Sequence, residues 1–283
     1  MATFFNQATL SYSGGTVNSN ITTGEILEVL AATKTAVYDR YAPGSDITYA
    51  VNIVNSGTIA FTGLTVTDDL GAYAFGTTTL QPLDYVDGSI RYFVDGVLQP
   101  APTVTAGPPL VISGINVPAS GTATILYAAR ANTFAPQDVE GTIVNTVTIS
   151  GGGITPLTAT ETVSAEAEPR LTITKSVSPT TVTENGQLTY TFVIQNTGNV
   201  LADATDAVVV TDTFDPILSN LTVTYNGAVW TSPANYTYNE ATGLFSTAAG
   251  SITVPAATYT QDPTTGAWVV DPGVAVLTVT GTI

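Results

Sequence analysis

All-β, in two tandem sandwich modules, is the fold class that the sequence predicts, and three observations carry it. Thr, Val, Ala, Gly, Pro and Tyr dominate, in alternating runs of four to eight residues cut by Gly, Pro, Asn and Ser. Five segments recur in the same order in the two halves of the chain. The length, 283 residues, suffices for two domains that each bury a core.

Composition narrows the function classes. Hydrophobic residues make up 44% and mean hydropathy is +0.28, so disorder is not expected. Only 10% of residues are charged, a low share for a cytosolic enzyme. The formal net charge is −16 with six Lys and Arg, which repels phosphate backbones and anionic bilayers. Neither nucleic acid nor membrane is therefore expected as a partner. With no Cys and no His, disulfides, thiol catalysis, zinc fingers and His-based triads are excluded. The first residues show no basic n-region and no long apolar h-region, so no secretory signal is expected. No run reaches the length of a transmembrane helix.

The repeat gives the organisation. Phe4-Phe-Asn-Gln-Ala-Thr-Leu-Ser-Tyr-Ser-Gly14 resembles Ile143-Val-Asn-Thr-Val-Thr-Ile-Ser-Gly-Gly-Gly153. A polar, Thr-rich stretch follows each, then a lysine-bearing strand, Ala31-Ala-Thr-Lys34-Thr-Ala-Val37 or Leu171-Thr-Ile-Thr-Lys175-Ser-Val177. The spacings agree: 34 − 6 = 28 and 175 − 145 = 30. Residues 43–57 then pair with 185–198, 64–70 with 208–214, and 119–127 with 271–279. The expected division is 1–30 as an N-terminal donor strand and connecting arm, 31–167 as a complete module 1, and 168–283 as module 2.

Module 2 is expected to be incomplete. Gly121 matches Gly273, so Ile283 matches Ala131, and module 1 runs on to Asn145 on what reads as its final strand. Module 2 lacks that last strand, while residues 2–12 supply a surplus strand of the same type. Ser13-Gly14-Gly15-Thr16 reads as a turn, so the donor could be a hairpin; the donor proper is placed at residues 2–12.

Side chains alternate faces along a strand. Lys34 then shares a face with Ala32 and Ala36, and Lys175 with Leu171, Ile173 and Val177. Asp68 falls with Leu64, Val66 and Leu70; Asp212 with Val208, Val210 and Phe214. Asn145 falls with Ile143, Val147 and Ile149, and Asn6 with Phe4, Ala8 and Leu10. Burying an unpaired charge costs several kcal/mol, roughly. Two readings answer that cost. One is a hydrogen-bonded polar trio in the core. The other is chemistry, in which a desolvated lysine is partly neutral and attacks an Asn carboxamide, expelling ammonia, while an aspartic acid polarises the carbonyl and moves the proton.

The Lys-bearing strand, Tyr-x-(Ile/Val/Phe)-x-(Ile/Val)-x-Asn-(Ser/Thr)-Gly, Val-Thr-Asp and Val-Asn-Thr-x-Thr resemble the Ig-like conserved repeat domain of bacterial surface proteins, a family of unknown function. They also resemble the Gram-positive pilin and adhesin modules with internal isopeptide bonds. The likeness covers nearly the whole chain, in two Ig-like copies. It implies an intramolecular Lys34–Asn145 bond with Asp68 as the assisting acid. In module 2 Lys175 and Asp212 match, no Asn follows, and Asn6 is the residue that could supply it.

These readings converge on a structural fibre subunit. A sandwich lacking a strand exposes an edge and an apolar groove, and a strand from a second copy can fill both. The contact is heterologous and propagates head to tail. Asn6 beside Lys175 and Asp212 would make each joint covalent without cysteine. The expected partner is the chain itself, with other appendage or surface proteins beside it. A two-module subunit of this kind also resembles clostridial endospore-appendage components, which implies a bacterial cell or spore surface.

Other readings are self-closure of residues 2–12 onto module 2 of the same chain, a domain-swapped dimer, and an adhesin or carbohydrate-binding protein using Tyr225, Trp230, Tyr236, Tyr238 and Trp268. No reaction on another molecule, no cofactor and no metal are expected; Asp203, Asp206, Asp212 and Asp215 lack EF-hand spacing, and Asp203 and Asp206 read as surface charge.

Overall fold

The computed structural model describes residues 2–26 and 28–283, and for Ala2, Glu25 and Ile26 the backbone alone. Met1 and Leu27, both inside the stretch assigned to the donor arm, lie outside the described residues. The described chain is all-β apart from one 3₁₀ turn at Ala204–Asp206, which Asp203 and Asp206 close as a capping box.

Two hydrophobic cores organise the strands. Around the first, one sheet runs Val97–Leu98, Arg91–Val94, Thr122–Ala131, Asp46–Asn55 and Leu30–Ala36. The facing sheet runs Thr103–Thr105, Leu110–Val117, Phe61–Asp68, Thr142–Ser150, Leu157–Ala165 and Arg40–Tyr41. The period-2 alternation of Asp46–Asn55 and Thr122–Ala131 turns Ile47, Tyr49, Val51 and Ile53 inward against Ala123, Ile125, Tyr127 and Ala129.

The second core repeats the plan with one side unfinished. Leu171–Ser178, Gln187–Asn196, Gly273–Thr282, Ser219–Tyr225 and Ala228–Trp230 form its first sheet. The register repeats as well: Lys34 faces Val51 and Lys175 faces Phe192, while Thr122 faces Val54 and Val274 faces Gln195. The opposing sheet holds only Tyr236–Asn239, Leu244–Thr247 and Thr211–Thr213. Asp212 faces Phe245 as Asp68 faces Leu110. On its other side Phe61–Asp68 pairs with Thr142–Ser150, whereas among the described residues no strand takes that place beside Thr211–Thr213.

The Asn-(Ser/Thr)-Gly element of the repeat has a structural role. Asn55 caps its turn by donating to the Ile59 carbonyl (2.8 Å) and accepting from Gly57 N–H (2.9 Å). Asn196 does the same with Val200 and Gly198, each at 2.8 Å. Any side chain at Gly198 would meet the Glu168 carbonyl, because a Cβ there falls 2.1 Å from it.

Two expectations need correction. Thr142–Ser150 is not the final strand around the first core, because Leu157–Ala165 returns antiparallel beside it, Asn145 facing Glu161. Among the described residues the second core has no counterpart of either strand of that hairpin. The N-terminal segment takes the hairpin form that the Ser13–Thr16 turn allowed, and residues 2–12 are two strands, Ala2–Asn6 and Thr9–Tyr12, not one. It is a hairpin in which Ala2–Asn6 pairs Thr22–Ile26 and Thr9–Tyr12 pairs Gly15–Asn18, turning at Ser13 and Gly14. Phe4, Phe5, Leu10, Tyr12, Val17 and Ile21 on it are all more than half exposed.

The two cores meet at a contact clasped by the Thr258–Gln261 and Trp268–Asp271 hairpin. Trp268 N–H donates to the Thr133 carbonyl (2.8 Å) and Gln261 Nε2 to the Tyr73 hydroxyl (2.9 Å). Arg170 binds Glu166 (2.8 Å) across the connecting residues.

Candidate functional site: two lysine–aspartate pairs

Lys34 and Lys175 are the only lysines in the sequence. Lys34 sits on Leu30–Ala36 and points into the first core, where its residue exposure is 3%. Its Nζ lies 2.8 Å from Asp68 Oδ2, and neither side chain retains exposed surface. The Tyr127 hydroxyl donates to the same Asp68 oxygen, and Leu70 N–H donates to Asp68 Oδ1 (2.7 Å). The ammonium also lies 4.7 Å from the Tyr49 ring centroid and 5.9 Å from that of Tyr127.

Desolvation by burial lowers the pKa of Lys34 and outweighs the attraction of Asp68, which acts in the opposite sense together with Asp69 and Glu161. Burial thus favours the uncharged amine at Lys34. Burial likewise raises the Tyr127 phenol well above its ordinary value, with the Asp68 charge adding to the effect, so it remains a donor.

Asn145 completes the cluster. Its strand pairs with the aspartate strand, Val147 facing Asp68, and Thr146 and Asp69 lock the register through Thr146 N–H to Asp69 Oδ1 (2.9 Å) and Asp69 N–H to the Thr146 carbonyl (3.0 Å). The Asn145 side chain lies near the Tyr49 and Tyr127 hydroxyls, enough to influence both. Yet its residue exposure is 0% and neither its Oδ1 nor its Nδ2 has a hydrogen-bond partner. A buried amide left unpaired costs about 1–3 kcal/mol.

The second pair is built from matching strands but stands open. Lys175 on Leu171–Ser178 contacts Asp212 Oδ2 on Thr211–Thr213, with the lysine side chain 40% exposed. Tyr190 takes the place of Tyr49, its ring centroid 4.4 Å from the ammonium. Phe192 and Phe214 approach at 5.5 Å each. At the position of Tyr127 stands Val279, so Asp212 has no phenol donor. Ile173, expected on a covered face beside Lys175, is 52% exposed, and among the described residues no strand lies over that face. Asn6 lies on the N-terminal hairpin, facing Thr22, and is exposed.

The sequence pattern therefore located the two lysines, two aspartates and Asn145, but not Tyr49 or Tyr127. Tyr127 falls within a recognised repeat segment, and its replacement by Val279 was the available signal. The aromatics considered as a sugar platform are otherwise engaged. Tyr225 and Tyr236 are buried, Trp230 stacks on Tyr225 (4.7 Å between centroids), Tyr238 packs on the second core, and Trp268 is in the clasp. Among the described residues no group of acidic side chains forms a metal site.

No protein-family model and no curated protein matches the sequence. Solved structures similar to it include the major pilin subunit BcpA of Bacillus cereus, with 11% identity, coverage of 96% of this chain and 73% of that one, and a TM-score of 0.36. The pilus backbone RrgB from Streptococcus pneumoniae is 14% identical over 86% of this chain and 55% of its own, with a TM-score of 0.35. The collagen-binding domain from a Staphylococcus aureus adhesin is 11% identical over 50% of this chain and 99% of its own, with a TM-score of 0.29. The chain thus spans little more than half of the RrgB structure.

Proposed function

We propose that the protein is the structural subunit of a fibre on a bacterial cell or spore surface, polymerising head to tail by strand donation. The observation that carries this reading is the edge of Thr211–Thr213, which among the described residues has no partner strand where Phe61–Asp68 pairs with Thr142–Ser150. Residues 2–12 of a second copy fill that edge. Carrying over the first register, Asp68 facing Val147, sets Ala8 opposite Asp212, Thr9 opposite Thr211, and Asn6 where Asn145 stands. An unpaired edge beside a half-covered core is prone to uncontrolled pairing, and a dedicated strand removes that hazard.

The joints become covalent by the same chemistry in both places. Lysine Nζ attacks Cγ of the carboxamide, and the carboxylic acid protonates the carbonyl oxygen of the tetrahedral adduct. The carboxylate takes the amine proton and passes it to Nδ2, which leaves as ammonia; the carbonyl re-forms as the adduct's hydroxyl proton returns to the carboxylate and regenerates the acid. Lys34 and Asn145 are joined within a subunit, and Lys175 and Asn6 between subunits, with Asp68 and Asp212 as the acids. Insertion of the donor dries the Lys175–Asp212 pair, bringing it toward the state in which Lys34 and Asp68 already stand.

Removing residues 2–12 tests the reading. The truncated chain should remain monomeric by light scattering. Filaments formed without those residues would refute strand donation.

A further inference from the structure

We infer that the acceptor takes both strands of the N-terminal hairpin, so that the partner, a second copy of this chain, also lays its return strand Thr22–Ile26 along the second lysine strand. The inference rests on the strand-donation reading and extends it to a segment expected to be a mere connecting arm.

The base of the hairpin, Ala2–Asn6 with Thr22–Ile26, duplicates the register of the closing hairpin of the first core, while Thr9–Tyr12 with Gly15–Asn18 runs one residue out of it, Thr9 facing Asn18 where Thr148 faces Thr158. Asn145 faces Glu161 and Asn6 faces Thr22, both members displaced by the same 139 positions (145 − 6 and 161 − 22). Strand register fixes which side chains share a face. The inward pair Ile143 and Val163, both buried, corresponds to Phe4 and Gly24. The exchange redistributes apolar volume between the strands: the Phe4 ring lies across Gly24, where a Cβ would fall 2.3 Å from its Cζ. Phe4 therefore occupies space belonging to both strands, and the apolar face that needs cover is two strands wide. Leu10 facing Val17 extends it. A two-stranded hairpin with such a face is marginal in water unless it packs on something.

The acceptor has the matching vacancy. Around the first core Leu157–Ala165 runs beside Leu30–Ala36 and pairs in parallel with Arg40–Tyr41, Ser164 facing Arg40. Glu161 on it reaches Lys34 electrostatically. Around the second core, among the described residues, Leu171–Ser178 pairs only with Gln187–Asn196, leaving Ile173 and Lys175 open. An outgoing strand beside Thr211–Thr213 does not cover them; a returning strand does. Carrying over the Ser164–Arg40 register sets Glu25 opposite Thr181.

The absence of native cysteine makes the test direct. In an Asn6→Ala background, one variant carries Thr9→Cys with Thr211→Cys and a second carries Glu25→Cys with Thr181→Cys. A third, Arg40→Cys with Ser164→Cys, verifies within one chain that the parallel pairing admits a disulfide. After oxidation, both intermolecular variants should give reducible ladders on denaturing gels. A ladder from the Thr9 pair alone would overturn the two-strand donor and leave single-strand donation standing. No ladder from either would overturn both.

Discussion

Lys34 Nζ and Asp68 Oδ2 lie 2.8 Å apart with neither side chain exposed, whereas Lys175 and Asp212, at the same positions of the repeat, remain partly open to solvent. Among the described residues the second pair lacks a counterpart of the Thr142–Ser150 and Leu157–Ala165 hairpin, and Val279 replaces Tyr127. Under the proposed chemistry the first pair would react once its sandwich folds, and the second only after another subunit docks.

The rate of the internal reaction should rise with pH. Burial lowers the Lys34 pKa from its ordinary 10.5, so the neutral, nucleophilic amine becomes abundant at lower pH than for an exposed lysine. Refolding at a series of pH values, with intact-mass detection of ammonia loss, should show the rise completed below the ordinary lysine range. A rate that keeps climbing through that range would mean that Lys34 titrates as a free lysine.

Asp68→Ala should abolish or slow the internal bond by at least about 100-fold, the usual minimum for a general acid. It also leaves Lys34 buried without a partner, at a cost of about 3–5 kcal/mol. Thermal unfolding should show a lowered transition, with the unreacted mass retained.

Tyr127→Phe keeps the ring and removes the donor to Asp68. Loss of one hydrogen bond to a charged group, about 1.5–3 kcal/mol, should slow formation of the Lys34–Asn145 bond roughly tenfold or more without preventing it. The same assay on the joint between subunits should be unaffected, since Val279 stands there instead.

Asp212→Ala should leave the internal bond intact and strand donation possible. Its assemblies should form in electron micrographs but fall to monomers on boiling in detergent. Boiling-resistant ladders from this variant would remove Asp212 from the chemistry.

The fold class and the buried trio were legible because strands of a two-faced sheet alternate strictly, so a polar residue in step with Leu64, Val66 and Leu70 must point inward. The same count overstated the burial of Lys175 and Ile173, because parity assigns a face and says nothing of what covers it. Leu157–Ala165 escaped notice because its inward residues Ala159, Val163 and Ala165 are small and lie in a Thr-rich run that reads as a connection. The single-strand expectation for module 2 followed from that omission. Tyr127 and the Trp268 clasp depend on contacts between distant segments, which no local pattern encodes.

The account stands most directly on peptide mass spectrometry of boiled, purified polymers. It predicts a peptide containing Asn6 joined to one containing Lys175, lighter than their sum by one ammonia. Recovery of Lys175 and Asn6 as unmodified peptides from such polymers would contradict it.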